Sequence, residues 1–219
     1  MRLYLKLSKN KQIVPFDYQV NLVGTLHKWL GKNDFHDDLS LYSMSWLNGQ
    51  SKAQKNGLSF PNGAEWFISS PNEVFIKTIL RGVLEDAFVC FGMYVQDVMI
   101  QETPPFDEMQ RFFVASPVFV KRTIENRQAY FFHNQEESDT YLTETLKNKL
   151  RKMGLSDEGV QVRFDKEFLN PKIKSVTYKG IRNKANVCPV IVEGTPEQVA
   201  FAWDVGVGNS TGIGFGSLV

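Results

Sequence analysis

Residues 1–30 read MRLYLKLSKNKQIVPFDYQVNLVGTLHKWL, and within them the apolar period changes from two to nearly four. Leu3, Leu5 and Leu7 alternate with Arg2, Tyr4 and Lys6, the pattern of a strand with one face on a core. Val14-Pro15-Phe16-Asp17-Tyr18 reads as a turn, and Leu22, Val23, Leu26 and Leu30 then share one stripe of a helix over 19–30. Further on, residues 41–47 are strand-like, and 57–61 and 65–69 form short extended pieces. Pro71 is expected to open a second helix carrying Val74, Phe75, Ile79, Leu80 and Val83, and 88–100 returns to strand.

The dipeptide Pro104-Pro105 marks a boundary near 104–107, beyond which the order repeats. Strands are expected over 112–121 and 128–132, an amphipathic helix over 136–153, and strands over 160–164, 172–179 and 186–193. Thr195 is placed as N-cap and Pro196 as the first residue of a final helix, followed by a glycine-rich loop and a last strand. Each half thus follows β-α-β-β-α-β. The expected fold class is α+β: two tandem ferredoxin-like domains, 1–107 and 108–219, with a C-terminal glycine-rich loop. The RNA-recognition fold shares this topology, but its aromatic RNP1 signature is missing, so stacking of bases on the sheet is not supported.

With 42% hydrophobic residues and 17 phenylalanines the chain fills real cores and is not a disordered chain. A net charge of +1 does not announce nucleic-acid binding, so any such surface must be a local basic patch. Cys90 and Cys188, both in apolar contexts, read as buried reduced thiols. No apolar run is long enough to span a bilayer, and residues 1–11 do not form a signal peptide, so a soluble, cytoplasmic protein is expected.

The tail Gly206-Val-Gly-Asn-Ser-Thr-Gly-Ile-Gly-Phe-Gly-Ser-Leu-Val219 places glycines at 206, 208, 212, 214 and 216. Backbone N–H groups without a Cβ beside them suit an anion such as phosphate. The nucleotide loops do not fit, because both common motifs need a helix after the glycines and none follows here. Taken alone, the segment also fits a flexible hairpin loop.

Gly206-Val-Gly208, five residues, then Gly214-Phe-Gly216 resembles the C-terminal glycine-rich loop of the CRISPR repeat-RNA endoribonucleases, within the repeat-associated mysterious protein superfamily. The first strand, turn and helix resemble that family's beginning, so the resemblance covers nearly the whole chain. It implies a metal-independent endoribonuclease that cuts CRISPR precursor RNA within its repeats, with no cofactor. CRISPR repeat RNA is the implied partner, alongside a CRISPR effector complex or a homodimer. A non-catalytic RNA-binding subunit is the alternative.

Metal-free RNA cleavage needs a base at the 2′-OH, an acid at the leaving oxygen and a cation for the phosphoryl charge. Histidine suits the first two roles. Of the three histidines, His133 follows a strand and reads as surface. His27 lies in the last turn of the first helix, where a simple interaction with the helix C-terminus fits as well as a functional role. His36 lies in Asn33-Asp34-Phe35-His36-Asp37-Asp38, equally readable as an ordinary solvated loop. The acids beside it would favour its charged form; they lack the spacing of a metal site. The resemblance puts His36 at the principal catalytic position and His27 at a second, variable one. The family's lysine soon after that histidine matches Ser40 here, leaving Lys52, with Lys55 beside it, as the expected cation.

Acidic residues vanish between Glu167 and Glu193, where Lys172, Lys174, Lys179, Arg182 and Lys184 fall on a hairpin expected to turn at 180–183. A cationic ribbon suits RNA phosphates; a lysine-protected sheet edge is the other reading. Lys121, Arg122 and Arg127 form a second patch, whereas Lys147, Lys149, Arg151 and Lys152 read as surface charge matched to a helix C-terminus.

Overall fold

The computed structural model describes residues 1–31 and 39–219. Its first half contains β1 (Arg2–Leu7), α1 (Gln19–Leu30), β2 (Ser43–Met44), β3 (Lys52–Gln54), β4 (Gly57–Ser59), β5 (Ala64–Ser69), α2 (Glu73–Glu85) and β6 (Val95–Gln101). Four strands make one antiparallel sheet in the order β2-β5-β1-β6, with β3 and β4 set aside as a hairpin. This is a ferredoxin-like sheet. The alternation along β1 does what it predicts. Leu3, Leu5 and Leu7 enter a core shared with Leu22 and Leu26 of α1 and Ile76 and Ile79 of α2.

The second half contains β7 (Met109–Phe112), β8 (Lys121–Ile124), β9 (Arg127–Tyr130), α3 (Glu136–Met153), β10 (Gln161–Phe164), β11 (Lys172–Tyr178), β12 (Ile181–Val187), β13 (Val190–Glu193), α4 (Pro196–Val205) and a 3-10 turn, Thr211–Ile213. Its sheet runs β10-β13-β7. On the free side of β7 the chain's last residues bond antiparallel to the segment after it, Phe113 N–H to Val219 O at 3.0 Å and Ala115 N–H to Ser217 O at 2.8 Å. The sheet order is therefore that of the first half. The hairpins β8–β9 and β11–β12 are additions to it.

Helix boundaries follow their caps. Thr195 and Gln198 form the reciprocal capping box of α4, with Pro196 at the first position as expected. The second helix starts at Glu73, not Pro71, because the Asn72 side chain accepts from Phe75 N–H and caps it. Strand expectations fail where proline or a turn removes ladder bonds. The strand expected over 112–121 ends at Phe112 and resumes at Lys121, with Pro117 between. The strand expected over 186–193 divides at Pro189 into β12 and β13, which belong to different sheets. The strand expected over 88–100 begins only at Val95, after a turn closed by Met93 N–H to Cys90 O. Residues 41–47 keep strand geometry only at Ser43–Met44. Both cysteines are buried thiols.

The outer face of β1 does not face water at its start. Arg2 is 1% exposed and its guanidinium lies 3.9 Å from the Phe67 ring centre and 3.6 Å from that of Trp203. It donates to the carbonyls of Trp203 and Leu218 at 3.1 and 2.9 Å, tying the first sheet to α4 and the chain's last turn. The buried Asp204 adds to this seam by accepting from the hydroxyls of Ser69 and Thr103. Among the described residues, no helix is long and apolar enough to cross a membrane.

Candidate active site and nucleic-acid interface

α1 ends at Leu30, where Gly31 N–H closes the helix onto His27 O at 3.1 Å. His27 is half-buried in this last turn. Its neighbour Lys28 turns away, donating to Asp86 and to Phe88 O at 2.8 and 2.5 Å. His36, with Asp34, Asp37 and Asp38, lies outside the described residues. The Leu39 carbonyl accepts from Lys152 Nζ at 3.3 Å. Tyr42 follows, stacked on Phe75 with 4.7 Å between ring centres. Burial raises the pKa of the Tyr42 hydroxyl, partly offset by its hydrogen bond with Ser40.

The glycine segment lies against these same residues, packed inside the protein. All five glycines are buried, and a Cβ on Gly212 would strike Ser40 Oγ. Gly206, Gly208 and Gly216 need glycine outright, and at Gly206 (φ +69°) a Cβ would meet Gly216 O. Gly208 has φ +75°, with Phe119 O only 2.6 Å from where a Cβ would sit. Gly216 has φ +64°, and its Cβ would collide with Val207 O. Three of the five N–H groups are already bonded, Gly206 to Ala202 O, Gly214 to Thr211 O and Gly216 to Pro117 O. Those of Gly208 and Gly212 have no hydrogen-bond partner among the described residues. The less buried residues of the segment are Asn209, Ser210 and Ile213. Trp46 Nε1 fixes the far side by donating to Gly214 O at 2.7 Å.

Beneath the segment lies a residue that sequence reading placed on the surface. Lys149 is 2% exposed. Its ammonium donates to Val205 O at 2.9 Å, Gly206 O at 3.2 Å and Thr211 Oγ1 at 2.9 Å. The correction has a plain cause: Lys149 shares the stripe of Leu142, Leu146 and Leu150, so its position on α3 points inward. That phase was readable from the helix period, but the cationic cluster around it masked the signal.

The β11–β12 hairpin turns at Lys179-Gly180, because Tyr178 pairs with Ile181, and not at the expected 180–183. Its inward face is anchored by Val176, packed on Phe119 and Phe215, and by Tyr178 against the first domain's core. Lys172, Lys174, Lys179, Arg182 and Lys184 are all exposed, and none has an ion-pair partner among the described residues. By alternation Lys172 and Lys174 share one face, while Arg182 and Lys184 share the other. Lys174 Nζ sits 4.3 Å from the Trp46 ring centre, and burial lowers its pKa. By contrast, Arg122 of the second patch is engaged by Glu144 and Tyr141 O.

Between the hairpin and the first half of the chain opens a cleft of about 960 Å³, whose lining includes Asp17, Tyr18, Trp46, Lys55, Lys174 and Val176. Lys55 occupies the β3–β4 turn and Lys52 the exposed start of β3. This hairpin joins the chain before α1 through the Val14–Leu58 bridge, so it packs near the N-terminal end of that helix. His27 is near the other end, roughly 12 Å along the axis from Gln19 at ~1.5 Å per residue.

This architecture of two antiparallel sheets of one order is matched in known proteins. Residues 100–219 match the family model described as CRISPR associated protein Cas6, C-terminal. The whole chain aligns with 92% of "CRISPR-associated endoribonuclease Cas6 1" from Methanocaldococcus jannaschii, at 23% identity over 236 residues. Solved structures agree in fold. One described as a Cas6-related gene product from Pyrococcus furiosus has a TM-score of 0.87 and 18% identity, covering all of this chain and 97% of that one. Another, described as a RAMP protein binding different RNA substrates, has a TM-score of 0.87 and 19% identity, covering all of this chain and 98% of that one. With over half its length matched by the family model and the fold shared end to end, the chain belongs to the CRISPR-associated Cas6 family.

Proposed function

We propose that this chain is an endoribonuclease that cuts CRISPR precursor RNA within its repeats without a metal ion. The observation that carries this reading, beyond family membership, is the β11–β12 hairpin: five exposed cations with no acidic partner among the described residues, standing over a cleft that reaches the first half of the chain. Such a surface suits a chain of phosphates, and Lys174 beside Trp46 suits a base or sugar in the cleft. In the proposed reaction one histidine takes the proton from the 2′-OH just upstream of the cut. That oxygen attacks phosphorus, and the bond to the 5′-oxygen breaks. The other histidine gives a proton to the leaving oxygen, so the products carry a 2′,3′-cyclic phosphate (or a 3′-phosphate after its opening) and a 5′-OH. His36 and His27 are assigned these roles from sequence. Lys52 is assigned the charge-stabilising role, with Lys55 beside it. Among the described residues no three His, Cys, Asp or Glu side chains gather as a metal site. The buried glycines allow the close packing that presents Asn209, Ser210 and Ile213 toward RNA.

The test is to incubate the protein with its repeat RNA and identify the end groups; 2′,3′-cyclic phosphate and 5′-OH ends are expected. The separation of Lys52 from His27 along α1 favours a second reading, a non-catalytic RNA-binding subunit of a CRISPR ribonucleoprotein. Tight binding with no cleavage would select it.

A further inference from the structure

Lys149 is more than a buried lysine that happens to be satisfied. An ammonium has three N–H donors, and here three oxygens receive them: Val205 O and Gly206 O at the C-terminal end of α4, and Thr211 Oγ1 in the 3-10 turn. One side chain therefore holds both ends of the stretch Val207–Ser210. None of its acceptors is charged. The charged and titratable groups on the packed elements are engaged elsewhere. Asp204 of α4 accepts from Ser69 and Thr103, Tyr42 behind Gly212 bonds Ser40, and Lys152 on the next turn of α3 donates to Leu39 O. No carboxylate among the described residues lies within ion-pair distance of Lys149. A buried charge is expensive unless something compensates it, and helix-end carbonyls supply only part of that compensation.

We infer that Lys149 is a positioning residue for RNA binding: it locks the glycine-rich segment, and its uncompensated charge beneath that segment is matched by an RNA phosphodiester at Asn209–Ser210. This rests on the proposed RNA-processing function. The lysine does not touch the phosphate. It acts through the backbone it holds and through its field in a poorly screened interior. Burial pushes its amine down to about 7. Deprotonation above that value removes the charge and leaves two donors for three acceptors, so its contribution to RNA binding falls as pH rises through neutrality.

The test uses the full-length chain carrying His27→Ala and His36→Ala, which silences cleavage and removes those two imidazole titrations. Its affinity for fluorescein-labelled repeat RNA is measured at pH 6 and pH 8.5. The parent is expected to bind roughly tenfold more weakly at the higher pH, as a poorly screened charge close to one phosphate is lost. Lys149→Met on that parent should bind weakly at both values, while Thr211→Val should be weakened at pH 6 only part of the way. A Lys149→Met protein with a cooperative melting transition that binds like the parent at both pH values overturns the inference. Should that variant fail to fold, a parent with flat pH dependence and an unimpaired Thr211→Val overturns it equally. A parent that binds no repeat RNA at either pH overturns the RNA reading itself and this inference with it, whereas hairpin-dependent binding indifferent to Lys149 overturns the inference alone.

Discussion

At the scale of single residues the histidines and Lys149 make opposite demands on an experiment. His36→Ala should slow single-turnover cleavage by roughly 10²–10⁴-fold, the usual worth of a general acid or base, while RNA affinity stays within about twofold. His27→Ala should act in the same direction with a smaller loss. Rapid-quench assays at saturating protein check both; wild-type rates in both variants would remove the pair from the mechanism. For Lys149 the sign of the pH effect on stability follows from its two states. Its amine titrates near 7 when folded and at the ordinary 10.5 when unfolded. Between those values the unfolded chain holds the extra proton, so stability rises with pH through this window and is lowest below 7. Lys149→Met should abolish that rise, measured by thermal melting from pH 6 to 9. Stability and RNA affinity then move oppositely with pH, which a purely structural lysine would not produce. The residue scale was also the hardest to read from sequence. His27, at the end of α1, was placed correctly along its helix because the apolar stripe fixes the phase. Lys149 was misplaced because a lysine among lysines looks solvated until the helix it sits on is given a partner.

At the scale of elements, sequence periodicity did best where one residue pattern had one outcome. α1 and α3 occupy the expected residues, since their apolar stripes run unbroken and Gly31 and Gly154 stop them. Strands were harder, because β propensity does not show which sheet a residue joins. Residues 186–193 read as one strand although the chain changes sheets at Pro189. The glycine segment was expected to receive phosphate, with a flexible loop as the alternative. It is close packing of backbone on backbone, so alanine there costs stability directly. Gly208→Ala and Gly216→Ala should each destabilise by about 2–4 kcal/mol, from the left-handed φ and the collision with a carbonyl together. Calorimetry should show melting lowered by about 5–10 °C. Unchanged melting in both would mean that the segment is not packed as described. The basic hairpin should behave differently. Lys172, Lys174 and Arg182 replaced together by Ala should weaken RNA binding and reduce the log–log salt slope by about 2 units, at ~0.7 per phosphate contact on a single strand. Melting should hardly change, since all three side chains are exposed. An unaltered slope would leave the hairpin a lysine-protected sheet edge.

For the whole molecule, the two halves repeat one sheet order, and the element order alone sufficed to read that. The seam between them was not legible. Arg2 sits on the polar face of an alternating strand and looked solvent-facing, yet it is sandwiched between Phe67 and Trp203. A period-2 pattern gives the face a residue occupies, not what covers that face. The seam places α4 and the glycine segment against the first sheet, which is how the hairpin comes to stand over the cleft. The central claim is that this assembly cuts repeat RNA by using the substrate's own 2′-OH. The most direct measurement is cleavage of radiolabelled repeat RNA in excess EDTA, beside the same RNA with one 2′-deoxy sugar just upstream of the mapped cut. The account predicts full cleavage of the first in chelator and none at that site in the second. Cleavage that requires added Mg²⁺ or Mn²⁺, or that proceeds undiminished on the deoxy substrate, would contradict it.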